Sequence, residues 1–387
     1  MGWNRQSPQV MKAPSPLPLG RWVLAAVMAV FVGVLLFMLH ASEQVPLLQA
    51  FNLWALAASP SLICVLAFGA RACFYGRALS HQQFLEDEAQ AAQQAWARWA
   101  QRYMAVHASC VLLPDKVCAS ALVQGTVSLP PRAGQARRIA ELPEIKQDRA
   151  HAALQLLLPA LGPALEALPQ EFELRVTLLS DVDPNQYDAL RDGLRRRWAS
   201  ASRCPFPVMV SLAAELSHQW IEDKLKSASP AMELILVLQV QGEGAYSDGL
   251  AAMLLSCDHL AQVVDGPVQA GLSRPMPLEI DKLEAELPLF LQTQTNARQA
   301  TGLLADTADW QASIAKVSAA SFVEGGSLDA QQQWIQESFC GLPGPLNSWL
   351  TTALAVDVVR SQLQPLLLLV RDQSQRWIST VTKGEGA

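Results

Sequence analysis

Residues 232–256, MELILVLQVQGEGAYSDGLAAMLLS, set the reading of the whole chain. The opening MELILVLQV is almost continuously apolar, the pattern of a strand covered on both faces. GEGAYSD follows as a polar turn, and GLAAMLLS returns as a second apolar strand. Upstream, FELRVTLL at 172–179 has strand composition and SDVDP turns it. NQYDALRDGLRRRW at 185–198 places Tyr187, Leu190, Leu194 and Trp198 on one side of a helix. A short strand at 206–212 and a helix at 215–226 lead back to the apolar strand. Strands alternating with helices of this length predict right-handed βαβ units, a parallel sheet and an α/β fold class.

Outward from this segment the pattern continues. VHASCVLL at 106–113 predicts a strand, and 125–148, rich in Pro, Gly and charge, predicts a surface loop. Helices are expected at 149–158, 164–168, 283–300 and 310–320. CGLPG at 340–344 opens a long apolar helix over 346–363, and QPLLLLVR at 364–371 predicts a closing buried strand. No repeat with a period of 20–50 residues is evident.

The N-terminal region has a different character. WVLAAVMAVFVGVLLFML at 22–39 is apolar throughout, and a second apolar run covers about 47–70. Each suffices to cross a ~30 Å hydrocarbon layer. Arg21 precedes the first run, Arg71 and Arg77 follow the second, and the short link carries Glu43 without Lys or Arg. The positive-inside rule then places both termini in the cytoplasm. Pro60 removes one helical hydrogen bond, and the carbonyl it frees needs a Ser hydroxyl or water. The expected organisation is a tail at 1–20, a transmembrane hairpin at 21–75, a juxtamembrane helix at 80–105 and an α/β domain at 106–387. The expected location is a bacterial inner membrane, with the soluble domain on the cytoplasmic side.

The 387 residues carry a net charge of −6 and no extended basic stripe, which argues against a nucleic-acid partner. Seven cysteines at irregular spacing include no CxxC pair and no zinc pattern. The turn at 242–249 lacks phosphate-loop spacing, so no cofactor is expected. Cys204, His107, His151 and His259 stand without partners at catalytic or metal-ligand spacing.

Three stretches resemble the thiolase and ketosynthase superfamily: 231–256 with its Asp248-Gly249 strand start, 207–226 with its strand-to-helix turn, and 338–370 with its glycine loop, long helix and closing strand. The resemblance implies a layered α-β-α-β-α domain. It also implies a Cys nucleophile at a helix N-terminus, served by two basic residues, usually His. This sequence departs at each place. The elbow reads Val210-Ser211-Leu212-Ala213-Ala214-Glu215, the glycine loop reads Cys340-Gly341-Leu342, and 305–310 reads ADTADW. The expected catalytic set is absent.

The remaining candidates are Ser211 as a replacement nucleophile with His218 as its base, and Arg274, Asp248 and Tyr246 as partner or pocket residues. Arg274, in a Pro-bounded loop, suits a carboxylate across an interface, and Asp248 suits bracing of its turn. The layout, with LSRPM at 272–276 and FLQTQTNARQATGLLAD at 290–306, is also similar to membrane-anchored accessory proteins of type VI secretion. The expected function is a non-catalytic scaffold or adaptor for a secreted effector or secretion component, with homodimerisation open to it. The alternatives are a diverged acyl-transfer enzyme at the membrane and a small-ligand sensor.

Overall fold

The computed structural model describes residues 3, 12–43, 45–124, 132–169, 171–264, 266–373 and 375–384. The chain forms two compact units. One is Gln6–Ala95, and the other joins Met1–Arg5 to Trp96–Ala387.

The first unit is helical. Helix α1 is Leu19–Ala41, α2 is the short Pro46–Gln49, and α3 is Leu53–Gln101. α1 and α3 are long and apolar enough to cross a membrane. They meet at Gly33, the buried residue of α1, where an added Cβ would lie 2.5 Å from the Ala57 carbonyl oxygen. Trp22 against Phe68, with centroids 5.4 Å apart, and Phe37 against Trp54 at 6.0 Å extend the contact. The other faces carry exposed Val, Leu, Ile and Phe, which water does not favour. At Pro60 the freed Leu56 carbonyl accepts the Ser59 hydroxyl at 2.9 Å, as the sequence requires. The expected break between the second span and a juxtamembrane helix is absent, because α3 is one helix of 49 residues. Gly76 falls in the stretch between, where a glycine costs helix only ~1 kcal/mol and does not stop it.

The second unit holds two halves. In the first, the elements are β1 (Tyr103–Leu112), α4 (Ala119–Gln124), α5 (Lys146–Glu166), β2 (Leu174–Ser180), α6 (Tyr187–Ala201), β3 (Met209–Ala213), α7 (Gln219–Ser227), β4 (Met232–Gln239), β5 (Gly249–Cys257) and α8 (Asp258–Ala261). In the second, they are β6 (Ala270–Ser273), β7 (Met276–Leu278), α9 (Leu283–Thr293), β8 (Gly302–Ala305), α10 (Gln311–Val323), β9 (Gln333–Ile335), α11 (Gln336–Cys340), α12 (Asn347–Gln362), β10 (Leu366–Asp372) and β11 (Gln375–Lys383).

The strand order is β3-β2-β4-β5-β1-β6-β11-β10-β8-β9, with β7 on β11. Read from each outer edge inward, the two halves have one topology. β2 lies parallel between β3 and β4, as β8 does between β9 and β10. β5 runs antiparallel to β4 and β1, as β11 does to β10 and β6. β1 and β6 pair antiparallel and join the halves. The sheet is therefore mixed rather than parallel. The turns after β4 and β10 are too short for a crossover, so the next strand returns antiparallel. The duplication is structural, with no sequence repeat to announce it.

Several boundaries differ from expectation. The helix expected to reach residue 105 ends at Gln101, and β1 begins at Tyr103. The two helices expected at 149–168 are one, α5, which runs through Pro159 and Pro163. Its buried stripe of Leu154, Leu157, Leu158, Leu161 and Leu165 offsets the lost hydrogen bonds. The helix expected at 283–300 stops at Thr293 and becomes a 3₁₀ turn over Thr295–Gln299. In the loop expected at 125–148, residues 125–131 lie outside the described residues, and Ile139 and Leu142 are buried. Helix α12 is the centre of the unit: every residue from Asn347 to Val359 is buried, packed against strands of both halves.

Candidate functional site at the meeting of the two halves

The N-termini of α7 and α12 face strand ends of the opposite half. The turn from β3 into α7 carries Leu216, Ser217 and His218, whose polar groups need partners before the helix begins. Asp372, the last residue of β10, supplies them. Its Oδ2 accepts the Ser217 hydroxyl at 2.6 Å, the His218 backbone N–H at 3.1 Å and the Trp377 indole N–H at 2.8 Å. The Ser217 hydroxyl oxygen also accepts the Gln219 N–H at 3.2 Å. A carboxylate at this position complements the positive end of the helix.

His218 is fully buried. Its ring stacks on Trp349 of α12, with centroids 4.8 Å apart, and Nε2 lies 3.1 Å from the Thr352 hydroxyl oxygen. That hydroxyl already donates to the Ser348 carbonyl at 2.8 Å. The single hydroxyl proton is thus used, so His218 donates from Nε2 and carries its lone pair on Nδ1. Nδ1 has no hydrogen-bond partner among the described residues. Burial pushes the imidazole down to about 4, against the opposing pull of Asp372, so the ring is neutral at pH 7. The Trp349 indole donates to the Leu216 carbonyl at 2.6 Å and locks the turn to α12.

A second polar cluster lies at the end of β8. Asp306 accepts the Trp310 indole N–H at 2.9 Å and the Arg371 N–H at 2.7 Å, and its carbonyl accepts the Asn347 side chain at 3.0 Å. Burial raises its carboxyl to about 7, with the hydrogen bonds opposing. Gln336 bridges Asn347 and Thr351 beside it. The glycine loop is equally tied. Gly341 has φ 89°, and a Cβ there would lie 2.1 Å from the Gln135 carbonyl oxygen. Cys340 is buried, and burial pushes its thiol far above the usual range, so it is no thiolate at neutral pH.

The candidates read from sequence fall as follows. Ser211 sits on β3 and donates to the Val176 carbonyl at 3.3 Å, with the Thr177 hydroxyl at 3.2 Å. Its hydrogen bonds do not include His218, which belongs to the α7–α12 contact instead. Arg274 is buried inside the unit. It pairs with Glu222 of α7, donates to the Trp99 carbonyl at 3.0 Å and stacks 4.2 Å from the Trp99 ring. Asp248 accepts the Ile139 N–H at 2.8 Å and pairs with buried Arg149, bracing the turn before β5. Tyr246 donates to Asp181 at 3.1 Å. Sequence reasoning missed Ser217, Asp372 and Asp306. A Ser two residues before QWIEDKL is a helix-start signal that could have pointed to Ser217.

The chain matches no family model and no curated protein. It does match solved structures. A chain from a type II PKS acyl-carrier protein in complex with its ketosynthase bound to the hexaketide is 10% identical, with a TM-score of 0.50, covering 73% of this chain and 99% of that one. An oxazolomycin ketosynthase domain from Streptomyces albus is 12% identical, with a TM-score of 0.49, over 73% and 95%. The 3-oxoacyl-[acyl-carrier-protein] synthase III of Aquifex aeolicus is 10% identical, with a TM-score of 0.42, over 72% and 99%. Identities this low speak to architecture alone; the first match, with its TM-score of 0.50, and the repeated strand order give the second unit a thiolase-like α/β fold.

Proposed function

We propose that this protein is a membrane-tethered, non-catalytic thiolase-fold scaffold that binds a protein partner. One observation carries the proposal. In condensing enzymes the N-terminus of the helix after the third strand serves the nucleophile and its developing negative charge, whereas here Asp372 already holds those donors. A resident carboxylate both uses the hydrogen bonds and repels an oxyanion. The thiol of the glycine loop, Cys340, is held protonated, and the Nε2 of His218 is committed to Thr352.

The tether reading rests on α1 and α3, whose outward apolar faces suit lipid. The chain leaves the α/β unit at Arg5 and rejoins it at Trp96, so a membrane excursion between them has an even number of crossings. Trp3, 5.0 Å from the Trp99 ring and 5.7 Å from that of Phe290, belongs to the α/β unit. With the charge bias of the sequence, this favours a two-span hairpin with the α/β unit in the cytoplasm of a bacterium. The partner class suggested by the sequence is a type VI secretion effector or apparatus component. Yet the stretches behind that likeness build β6, β7, α9 and β8, so they serve the fold rather than an exposed surface.

The test is acyl transfer to the full chain in nanodiscs, exposed to acyl-CoA and acyl-thioester probes and followed by intact mass. A scaffold shows no acyl adduct. An adduct on wild type, lost in Ser217→Ala, would replace this reading with a diverged acyl-transfer enzyme. The Ser217–Asp372 hydrogen bond and the bare Nδ1 of His218 are the features favouring that second reading. Affinity capture from solubilised native membranes, with a chain lacking the α/β unit as control, identifies the partner.

A further inference from the structure

A cavity of about 420 Å³ opens at the edge of the α/β unit opposite the α7 site, where β2 and β3 begin. Leu165, Leu168, Phe172, Leu174, Phe206 and Val208 supply most of its wall. Val208 is 97% exposed, an apolar surface left to water at the mouth. Phe206 is held edge-on by Trp198, with centroids 5.9 Å apart, so this wall is rigid.

The rim carries charge of both signs. Of the lining residues Glu166, Glu173 and Arg203, Glu173 is already paired with Arg175 at 2.9 Å. Arg203 has no carboxylate partner among the described residues. The Arg195 guanidinium lies 5.1 Å from the Phe206 ring. In a chain of net charge −6, this is a local cationic excess, opposed at the rim by Glu166.

We propose that the cavity takes the hydrocarbon chain of a free fatty acid, with its carboxylate held at the mouth by Arg203. Apolar side chains make up most of the walls and the charged groups sit at the rim, so desolvation favours a hydrocarbon inside. The volume suits one chain rather than the two of a phospholipid. A guanidinium with free donors is matched to a carboxylate. The site is independent of the α7 region and of whether that region is catalytic.

The probe is a diazirine-bearing hexadecanoic acid, added to the full chain in phosphatidylcholine nanodiscs, photolysed and mapped by mass spectrometry. Crosslinks are expected in 165–174 and 204–208. Arg203→Ala should lower them about tenfold, the effect of losing one charge-assisted hydrogen bond. Leu168→Trp should fill the cavity and abolish them, and Glu166→Gln should raise them. Labelling confined to α1 and α3 overturns the proposal. So does equal labelling of the cavity by a diazirine phosphatidylcholine, or labelling that persists in Leu168→Trp. Arg203 is exposed, so its variant keeps the test decisive if Leu168→Trp does not fold.

Discussion

The two halves of the α/β unit share a strand order and differ in their central helix. In the C-terminal half, α12 has 16 residues and is buried continuously from Asn347 to Val359. In the N-terminal half, α7 has 9 residues and buries only Ile221, Glu222 and Leu225. Yet the joints between strands and helices are matched. Asp181 follows β2 and Asp306 follows β8. The N–H of Asp181 donates to the Leu238 carbonyl and its Oδ2 accepts the Val240 N–H; Asp306 makes the same pair of bonds with Leu369 and Arg371. Each half also caps the helix of the other. Gln239, ending β4, accepts the Leu346 N–H before α12, and Asp372, ending β10, accepts the His218 N–H before α7. The joints are matched between the halves, while the core burden lies with one of them.

If that division is right, the largest effect comes from α12. Trp349 is 1% exposed and touches His218, Trp220 and the turn before α7. Trp349→Ala should cost about 4 kcal/mol in denaturant unfolding of the α/β unit. Trp220→Ala, at a half-buried position on α7, should cost about half as much. Equal costs would mean that both helices carry the core alike.

The next effect lies in the tie between the halves. Arg274, in the turn between β6 and β7, pairs with Glu222 of α7 and is 1% exposed. Glu222→Gln leaves that guanidinium buried without its carboxylate, at a cost of about 3 kcal/mol. Double replacement, Glu222→Gln with Arg274→Met, should recover much of this, because the charge leaves with its partner. A double variant no better than the single one would show that Arg274 acts through packing on Trp99.

The matched aspartates separate the halves by pH. Burial raises the Asp306 carboxyl to about 7, above its unfolded value near 4. The folded state therefore holds the proton more tightly, and stability falls as pH rises between these values. From pH 5 to pH 7 the loss should be about 2 kcal/mol, measured as the difference between wild type and Asp306→Asn. Asp181 is raised by burial too, but three hydrogen bonds from Val240, Gln241 and Tyr246 oppose it. Asp181→Asn should change the pH profile less. A steeper effect at Asp181 would reverse the assignment of the drier joint.

The contrast between halves also explains what the sequence disclosed. β4 and β5 were legible because long apolar runs on either side of a Gly-rich turn leave few alternatives. β6, β8 and β9 have 4, 4 and 3 residues, too short for a period to register. The pseudo-symmetry was illegible because the repeated residues are few, the Leu-Leu-Ser-Asp of 178–181 and the Leu-Leu-Ala-Asp of 303–306, and their partners differ: Tyr246 meets Asp181 where Trp310 meets Asp306. In the candidate site, His218 was visible as a chemical group, but its real neighbours are Thr352 and Trp349, more than 130 positions away. Ser211 attracted notice by nearness in sequence, which on an edge strand does not bring it to the start of α7. Asp372 could not be assigned, since nothing local to it names the helix that it caps.

The smallest effect tests the one asymmetry in the reciprocal caps. α12 begins against a neutral carboxamide, Gln239, and α7 begins against a carboxylate, Asp372. Asp372→Asn would make the two joints alike. It retains an acceptor for Ser217 and the His218 N–H, and loses the attraction between charge and helix end, worth about 1 kcal/mol. The stability cost should shrink with added salt, because this contribution is screened. The informative second readout is chemical. If the carboxylate is what keeps negative charge away from the α7 N-terminus, Asp372→Asn should leave Ser217 more open to an acyl-thioester probe than wild type. If labelling stays absent at full stability, the site lacks more than room for an oxyanion: burial leaves the His218 imidazole too weakly basic to take the serine proton on Nδ1, and that burial becomes the stronger barrier to chemistry.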